Sequence, residues 1–198
     1  MERQTSKENI LLASLELFAN SGFDGVGINE ITQLAGITKP SLYYFFGSKE
    51  GLFTALLERY FAVLNESVKS ASAYNAVPEE YFDDVYATLK NIVLAYFDFA
   101  QSNRLFYQLI LDVTSAPPSS NAARLSGTFL AEQRRLLHNA FSAFSSVHTN
   151  IQGKETFLSW SFIAIINAAI QLWLNDDEKL TPELTHSIVH QFMHGIYA

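Results

Sequence analysis

The chain has 198 residues, of which 48% are hydrophobic and 14% aromatic, and this composition is typical of a globular protein with a real core. It contains no cysteine, which excludes disulfide frameworks, thiolate zinc sites and cysteine nucleophiles. The formal net charge of −7 argues weakly against nucleic acid as a partner, although a small binding element can carry a different local charge.

The first ten residues, MERQTSKENI, are charged and polar where an export signal would need an apolar run, so we expect a cytoplasmic protein. Farther along, apolar residues recur at spacings of three and four, and the alternation typical of strands is absent. This period predicts an all-α protein. Breaks that contain glycine, proline or asparagine divide the chain into about nine helices, of which the first three are short and the later ones long enough to form a bundle.

The first helix is predicted from Ser6 to about Asn20, with Gly22 ending it in a left-handed conformation and Phe23 folding back on its apolar face. The second helix is predicted over residues 28–35. Its inward residues are expected to be Ile28, Ile31, Leu34 and Ala35. The tight turn AGIT (35–38) follows, and this is the type of turn that joins the two helices of a helix-turn-helix.

A third helix is predicted to begin at Thr38, whose hydroxyl can cap it, with a proline in its first turn. On a helical wheel Leu42 and Phe46 face inward and Phe45 borders them, whereas the two tyrosines lie on the rest of the surface. The phenylalanines are therefore predicted to be core residues and the tyrosines to be exposed.

The fourth helix is predicted from Lys49 to about Ser72, with Ser48 as its cap. A helix start favours an acidic side chain, so a lysine at this position suggests an anion nearby. A DNA phosphate would meet both the lysine and the free N–H groups of the helix terminus.

The stretch GINEITQLAGITKPSLYYFFGSKEGLF (27–53) resembles the helix-turn-helix of the tetracycline-repressor (TetR) family of bacterial regulators. The resemblance implies that Thr38, Lys39, Pro40, Ser41 and Tyr44 face the major groove of DNA and that Tyr43 and Lys49 contact phosphates. Two positions depart from the family pattern: Gly27 stands where a capping serine or threonine usually touches a phosphate, and Phe45 stands where a histidine is frequent.

The resemblance also implies a helix-turn-helix DNA-binding domain in residues 1–48 and a helical ligand-binding and dimerisation domain in residues 49–198. In the second domain, beginning with a helix predicted over residues 79–103, aromatic residues recur at helical spacing. Such stripes are most often plain core, but a bundle with many flat rings can also leave an apolar cavity. The candidate ligand-lining residues are Tyr86, Leu89, Val93, Tyr96, Phe106, Phe129, Trp160 and Asn167.

The segment 156–175 has no charged residue and is long enough to span a membrane. Asn167, Gln171 and Asn175 nevertheless form a polar stripe, and no basic cluster flanks the segment, so we expect a helix buried in a protein core or a subunit interface and no membrane partner. Together with a last helix that opens at Thr181, it could form a four-helix interface between two chains. The candidate dimer residues are Ile163, Ile170, Leu174, Ile188 and Phe192.

The last helix also carries His186, His190 and His194, each four residues from the next. This spacing can bind zinc or nickel, but one helix cannot supply a closed tetrahedral site, and only Glu183 joins the stripe. We predict no metal and no cofactor, and because phosphate-loop, nucleophile-elbow and HExxH motifs are absent, no enzyme activity.

The expected function is that of a homodimeric, sequence-specific regulator of transcription that binds a double-stranded operator. We expect a repressor that a small, largely apolar or aromatic ligand releases from its operator. The alternative is a helical small-molecule-binding or protein-interaction module without ligand-controlled DNA release.

Overall fold

The computed structural model describes residues 2–76 and 83–195. In these ranges the chain forms nine α-helices, one short 3-10 helix (Thr149–Ile151) and no strand, which confirms the predicted all-α class. The helices are α1 (Glu2–Gly25), α2 (Ile28–Ala35), α3 (Lys39–Phe46), α4 (Lys49–Ala71), α5 (Asp83–Ser102), α6 (Arg104–Ser115), α7 (Asn121–Ser145), α8 (Glu155–Leu174) and α9 (Pro182–His194).

The predicted bounds of α2, α3 and α4 agree with the structure to within a residue. Helix α1 continues to Gly25, beyond its predicted end, but its helical geometry is interrupted at Gly22, where φ is 70°. The positive φ explains why a glycine is needed there. The predicted start of α5 at residue 79 lies outside the described residues.

Two compact units are present. The first contains the residues up to Ala62 together with Asn103–Leu130, and the second contains Val63–Ser102 together with the residues from Ala131 onward. Helix α4 contributes residues to both units, and α6 belongs entirely to the first. The functional division predicted at residue 48 stays a prediction.

The core of the first unit is built on α1, which packs against α2 and α6. Phe23 returns onto α1 as predicted and is 2% exposed. Its ring centroid lies 5.5 Å from that of Phe18 and 4.7 Å from that of Phe53 on α4. From α6, the Gln108 side-chain amide donates to the Ala19 carbonyl at 2.7 Å, and the Phe106 ring stacks on Tyr60 with centroids 4.5 Å apart. The helix-turn-helix thus shares its core with a helix distant in sequence.

In the second unit α5 packs against α8 and α9, and α8 also contacts α9. The Phe162 and Phe192 rings are 4.8 Å apart between centroids, and Phe141 packs edge-on against both. By length and composition α8 could cross a membrane, and 28% of its most apolar window is buried inside the protein. A single helix of this kind is weak evidence for a membrane span. Because burial was measured within one protomer, the prediction of a helix buried in a protein core or a subunit interface stays a prediction.

Candidate nucleic-acid interface and ligand cavity

Helix α3 has one side chain fixed in the core and a broad exposed surface around it. Leu42 is fully buried, whereas Tyr43 is 48% exposed and Tyr44 is 72% exposed. Lys39 and Pro40 are also exposed, and Pro40 occupies the first turn as predicted. The predicted division between Leu42 and the tyrosines is therefore confirmed, and large hydroxyl-bearing rings project from a helix that carries no acidic residue in its first turn.

The two phenylalanines of α3 differ from the prediction. Phe45 and Phe46 are both half-buried, so Phe46 is not a core residue. Phe46 is the last residue of the helix, next to the turn at Gly47, and the Lys7 ammonium is 5.8 Å from its ring centroid. A helix of two turns places only its middle, at Leu42, deep against its neighbours.

The turn between α2 and α3 is built on Gly36, which has φ 66° and ψ 35° and ends α2 in the left-handed conformation. Thr38 precedes α3 as predicted, but its hydroxyl makes no capping bond to a backbone N–H. Instead it lies 3.0 Å from the Ser41 hydroxyl, so these two predicted groove-facing groups form a pair. Each retains acceptor capacity for a base edge or a water molecule.

The start of α2 lacks the capping hydroxyl that the family pattern usually places there. Gly27 has no side chain to cap the helix, and its backbone N–H donates to the Glu30 carboxylate at 2.7 Å. Helix α2 also buries Thr32 rather than Leu34, which is 48% exposed, so the prediction of an inward Leu34 is wrong. The helix contacts α1 and α3, and these contacts bury Ile31 and Thr32.

Lys49 joins two helices of the first unit. Its ammonium donates to the carbonyls of Phe23 and Val26, each at 2.9 Å, and lies 4.3 Å from the Phe23 ring centroid. Sequence reasoning missed this role, because the carbonyls where α1 ends offer a lysine the same kind of partner as a phosphate. An ammonium has three N–H donors, so contact between Lys49 and a phosphate stays a prediction with one donor remaining. The predicted cap is confirmed, since the Gly51 N–H donates to the Ser48 hydroxyl at 3.0 Å.

The eight candidate ligand residues are distributed over the two units. Leu89, Val93 and Tyr96 are buried on α5, Trp160 is 53% exposed, and Phe106 and Phe129 belong to the first unit. The two remaining candidates, Tyr86 and Asn167, are half-buried, and the Tyr86 hydroxyl lies 2.6 Å from Nδ1 of His186.

Tyr96 belongs to a buried polar network. Its hydroxyl donates to the Gln133 side chain at 2.5 Å, and the Gln133 amide donates to Asn65. Burial raises the pKa of the Tyr96 hydroxyl far above its usual value, so Tyr96 is a neutral donor.

A cavity of about 290 Å³ lies within the second unit, and of the eight candidates only Leu89 lines it. Its other lining residues are Val85, Phe141, His148, Asn150, Ile151, Lys154, Leu158, Phe192, Met193 and His194. Several come from the segment between α7 and α8, whose irregular conformation gives no periodic signal in the sequence.

Two of the five candidate dimer residues are buried within the protomer. Ile170 is fully buried and Ile188 is 6% exposed, so a partner chain cannot reach them. Ile163, Leu174 and Phe192 are half-buried. The exposed large apolar residues of α8 are instead Phe157, Trp160, Ile165 and Leu172, and we call them the α8 outer face.

The histidine stripe of α9 is exposed, with ring centroids 5.7 Å apart for His186 and His190 and 4.8 Å apart for His190 and His194. Within residues 2–76 and 83–195, no group of three or more histidine, cysteine, aspartate or glutamate side chains is arranged to hold a metal ion.

Comparison with known proteins gives consistent results. Residues 10–56 match the sequence model of the family described as "Bacterial regulatory proteins, tetR family". The chain is 24% identical to the HTH-type transcriptional activator FasR of Mycolicibacterium smegmatis, over 98% of this chain and 84% of FasR. It is 35% identical to the HTH-type transcriptional repressor NicS of Pseudomonas putida, over 41% of this chain and 39% of NicS.

Two solved structures share the fold. The transcriptional regulator FadR from Bacillus subtilis, in complex with stearoyl-CoA, superposes with a TM-score of 0.76 at 14% identity, covering 96% of this chain and 99% of FadR. The TetR-family regulator PfmR from Thermus thermophilus superposes with a TM-score of 0.69 at 18% identity, covering 96% and 99%.

Proposed function

The chain is a DNA-binding transcriptional regulator of the TetR family and not an enzyme, and from this premise we propose that it is a cytoplasmic, homodimeric repressor released from its operator by a small ligand. Helix α3 enters the major groove of the operator, and the second unit holds the ligand. The relatives include both activators and repressors, since FasR is named an activator and NicS a repressor. We propose repression because a ligand that biases the protein against its DNA-bound conformation needs no further partner to change transcription.

The exposed face of α3 supports the proposal that this helix binds DNA. Tyr43 and Tyr44 present two hydroxyls and two rings to solvent beside Lys39, while Leu42 anchors the helix. Groups of this kind donate to phosphates and contact thymine methyl groups and base edges. With Gly27 lacking a hydroxyl and Lys49 bound to two carbonyls, fewer phosphate contacts remain than the resemblance implied. We therefore expect modest affinity for random DNA and a weak dependence on salt.

The α8 outer face supports the homodimer. A helix-turn-helix dimer reads two half-sites about one helical turn apart, so two copies of α3 must be held at a fixed spacing. Phe157 at 73% exposure and Trp160 at 53% exposure belong to an apolar face that a second copy would cover in an isologous contact.

The cavity of the second unit supports the ligand. Its apolar lining suits a small, largely apolar or aromatic molecule, and FadR, which shares the fold, was solved with stearoyl-CoA. The ligand can release DNA only to the extent that it binds the released conformation more tightly than the DNA-bound one.

Binding of the purified protein to its own upstream promoter DNA, compared with random DNA of equal length across a salt series, tests the proposal. We expect promoter-selective binding that Tyr44→Ala weakens by about tenfold or more without lowering the melting temperature, because Tyr44 is 72% exposed. Leu12→Ala is the control, since Leu12 is an exposed α1 residue, and it should bind as the parent does. If Tyr44→Ala also bound promoter as tightly as the parent, α3 would not be the reading helix.

A further inference from the structure

The cavity of the second unit is lined by both apolar and polar side chains. The apolar side chains that line it are Val85, Leu89, Phe141, Ile151, Leu158, Phe192 and Met193, and the polar ones are His148, Asn150, Lys154 and His194. None of these described lining residues is an aspartate or a glutamate. The lining therefore offers hydrogen-bond donors and one full positive charge beside a hydrocarbon surface.

Lys154 is an exposed residue at the cavity wall and supplies that positive charge. Its ammonium donates to the Asn150 carbonyl at 2.9 Å, which leaves two N–H donors for a ligand. The neighbouring acid does not line the cavity. A hydrogen bond from its own backbone N–H is the largest cause that holds the pKa of the Glu155 carboxyl below the usual value.

His148 forms part of the cavity wall, and its ring contacts the buried Asp84 carboxylate. Its Nε2 lies 3.2 Å from Oδ1 of Asp84 and 3.1 Å from the Tyr74 hydroxyl. That hydroxyl donates to Oδ2 of Asp84 at 2.7 Å, and the Val85 N–H donates to Oδ1 at 2.5 Å. The tyrosine proton is donated to Asp84, so a hydrogen on Nε2 could be donated to the Tyr74 oxygen or to Oδ1 of Asp84. The Asp84 carboxylate therefore has several hydrogen-bond partners. The cavity is lined by the His148 imidazole and not by this carboxylate.

The size of the cavity limits the ligand. A volume of about 290 Å³ is at the lower end of the range for small-molecule pockets. It corresponds to roughly ten water molecules in the liquid, and hence to an apolar body of roughly ten carbon atoms.

We propose that this cavity binds an amphipathic monocarboxylate, with the carboxylate held by the Lys154 ammonium and the apolar body packed between Leu89, Phe141 and Leu158. An ammonium and a carboxylate form a charge-assisted hydrogen bond, and the apolar side chains of the lining bury the hydrocarbon body of the ligand. The proposal rests on the ligand-responsive function and names the class of ligand that this site takes.

Calorimetric titration of the full-length protein with decanoate and, as a neutral probe of equal length, with decanol tests the proposal. We expect the parent to bind decanoate about tenfold more tightly than decanol, in line with one charge-assisted hydrogen bond. Lys154→Met should remove this preference and leave decanol binding unchanged, whereas Lys154→Arg should retain it. Lys179→Met is the matched control, because Lys179 is an exposed lysine of the same unit that does not line the cavity.

Three results would overturn the proposal: no binding of decanoate, equal affinity for both probes, or a Lys154→Met protein with the parent's preference. Thermal unfolding of each variant verifies that it is folded. Promoter binding with and without decanoate separates this inference from the proposed function. Lys154-dependent binding of decanoate without DNA release supports the cavity assignment and contradicts ligand-controlled release. DNA release by a ligand that needs neither Lys154 nor the cavity supports ligand-controlled release and contradicts the cavity assignment.

Discussion

Individual residues in the helix-turn-helix are constrained by how closely backbone segments approach one another. Gly51, in the first turn of α4, is the tightest case, because a Cβ built there would lie 2.1 Å from the Phe46 carbonyl oxygen. This oxygen belongs to the backbone just before the turn at Gly47, so it cannot move without shifting α3. The position therefore excludes every side chain for reasons of space rather than of backbone torsion.

We expect Gly51→Ala to lower the free energy of unfolding by about 2 kcal/mol or more, since the clash involves backbone. Gly127→Ala is the matched control, because Gly127 lies within α7 and a Cβ there would meet no atom within 4 Å. It should stabilise the protein by about 0.5–1 kcal/mol through helix propensity. Urea unfolding of both variants measures the difference, and two changes of the same sign would contradict the backbone contact.

Lys49 gives a second prediction at this scale. Removing its ammonium leaves the carbonyls of Phe23 and Val26 without this donor, so Lys49→Ala should lower the free energy of unfolding by about 1–3 kcal/mol. Lys39→Ala, at an exposed lysine of α3, should leave stability unchanged. Chemical unfolding measures both, and the salt dependence of DNA binding by the folded variants reports any phosphate contact that either lysine makes. A Lys49→Ala protein as stable as the parent would mean that the two bonds contribute nothing.

At the scale of helices, an ion pair joins α1 to α4. The Arg59 guanidinium donates to the Glu8 carboxylate at 2.5 Å, and this bond lowers the pKa of Glu8 below 4.5. Because the folded-state pKa is depressed, the pair stabilises the fold fully above pH 4.5 and loses its effect as the pH falls through the lowered value. The two side chains are 41% and 43% exposed, so solvent screening limits the contribution to about 0.5 kcal/mol.

We therefore expect Glu8→Gln to lower stability by about 0.5 kcal/mol at pH 7 and to have a smaller effect at pH 3. Unfolding curves at both pH values measure the change, with Glu16→Gln, at an exposed carboxylate of the same helix, as the control. An effect of Glu8→Gln that grew on acidification would contradict the ion pair.

The helices of the helix-turn-helix could be predicted because their signals are local. Gly36 fixes the turn, Pro40 fits a first turn, and the spacing around Leu42 separates core from surface within eight residues. The partners of a side chain could not be predicted in the same way. Lys49 binds carbonyls 23 and 26 residues earlier in the chain, and no periodicity reports such a contact.

The second unit shows the same limit on a larger scale. Helix α8 has only a narrow polar stripe and is otherwise apolar around its circumference, so the sequence could not separate the buried Ile170 from the exposed Trp160. The cavity depends on residues 148–154, which connect α7 to α8 and follow no regular pattern. The aromatic stripes predicted the position of the core but not the position of the cavity.

For the molecule as a whole, the proposed homodimer places the α8 outer face between two copies of the chain. Phe157→Asp places a charge at a residue that is 73% exposed, so the monomer should remain folded while the apolar contact between two copies is lost. We expect sedimentation velocity to show a monomer and promoter affinity to fall, because two half-sites are no longer read together. Leu12→Asp, at an exposed residue of α1, is the control for oligomeric state and should leave the dimer intact. A dimeric Phe157→Asp protein would place the interface elsewhere.

The first unit is assembled from two separate stretches of chain, which bears on how such regulators can be recombined. A chimera cut after residue 48 would transplant α1 to α3 without α6, and so without the Gln108 bond to Ala19. A cut after residue 62 would also carry Tyr60, but without the Phe106 ring that stacks on it. The transplanted helix-turn-helix would then lack its own α6 and would have to pack against residues of the other protein. Reprogramming operator choice by exchanging a cassette therefore requires residues 103–130 to travel with the N-terminal stretch, or the substitutions to be confined to the outward side chains of α3.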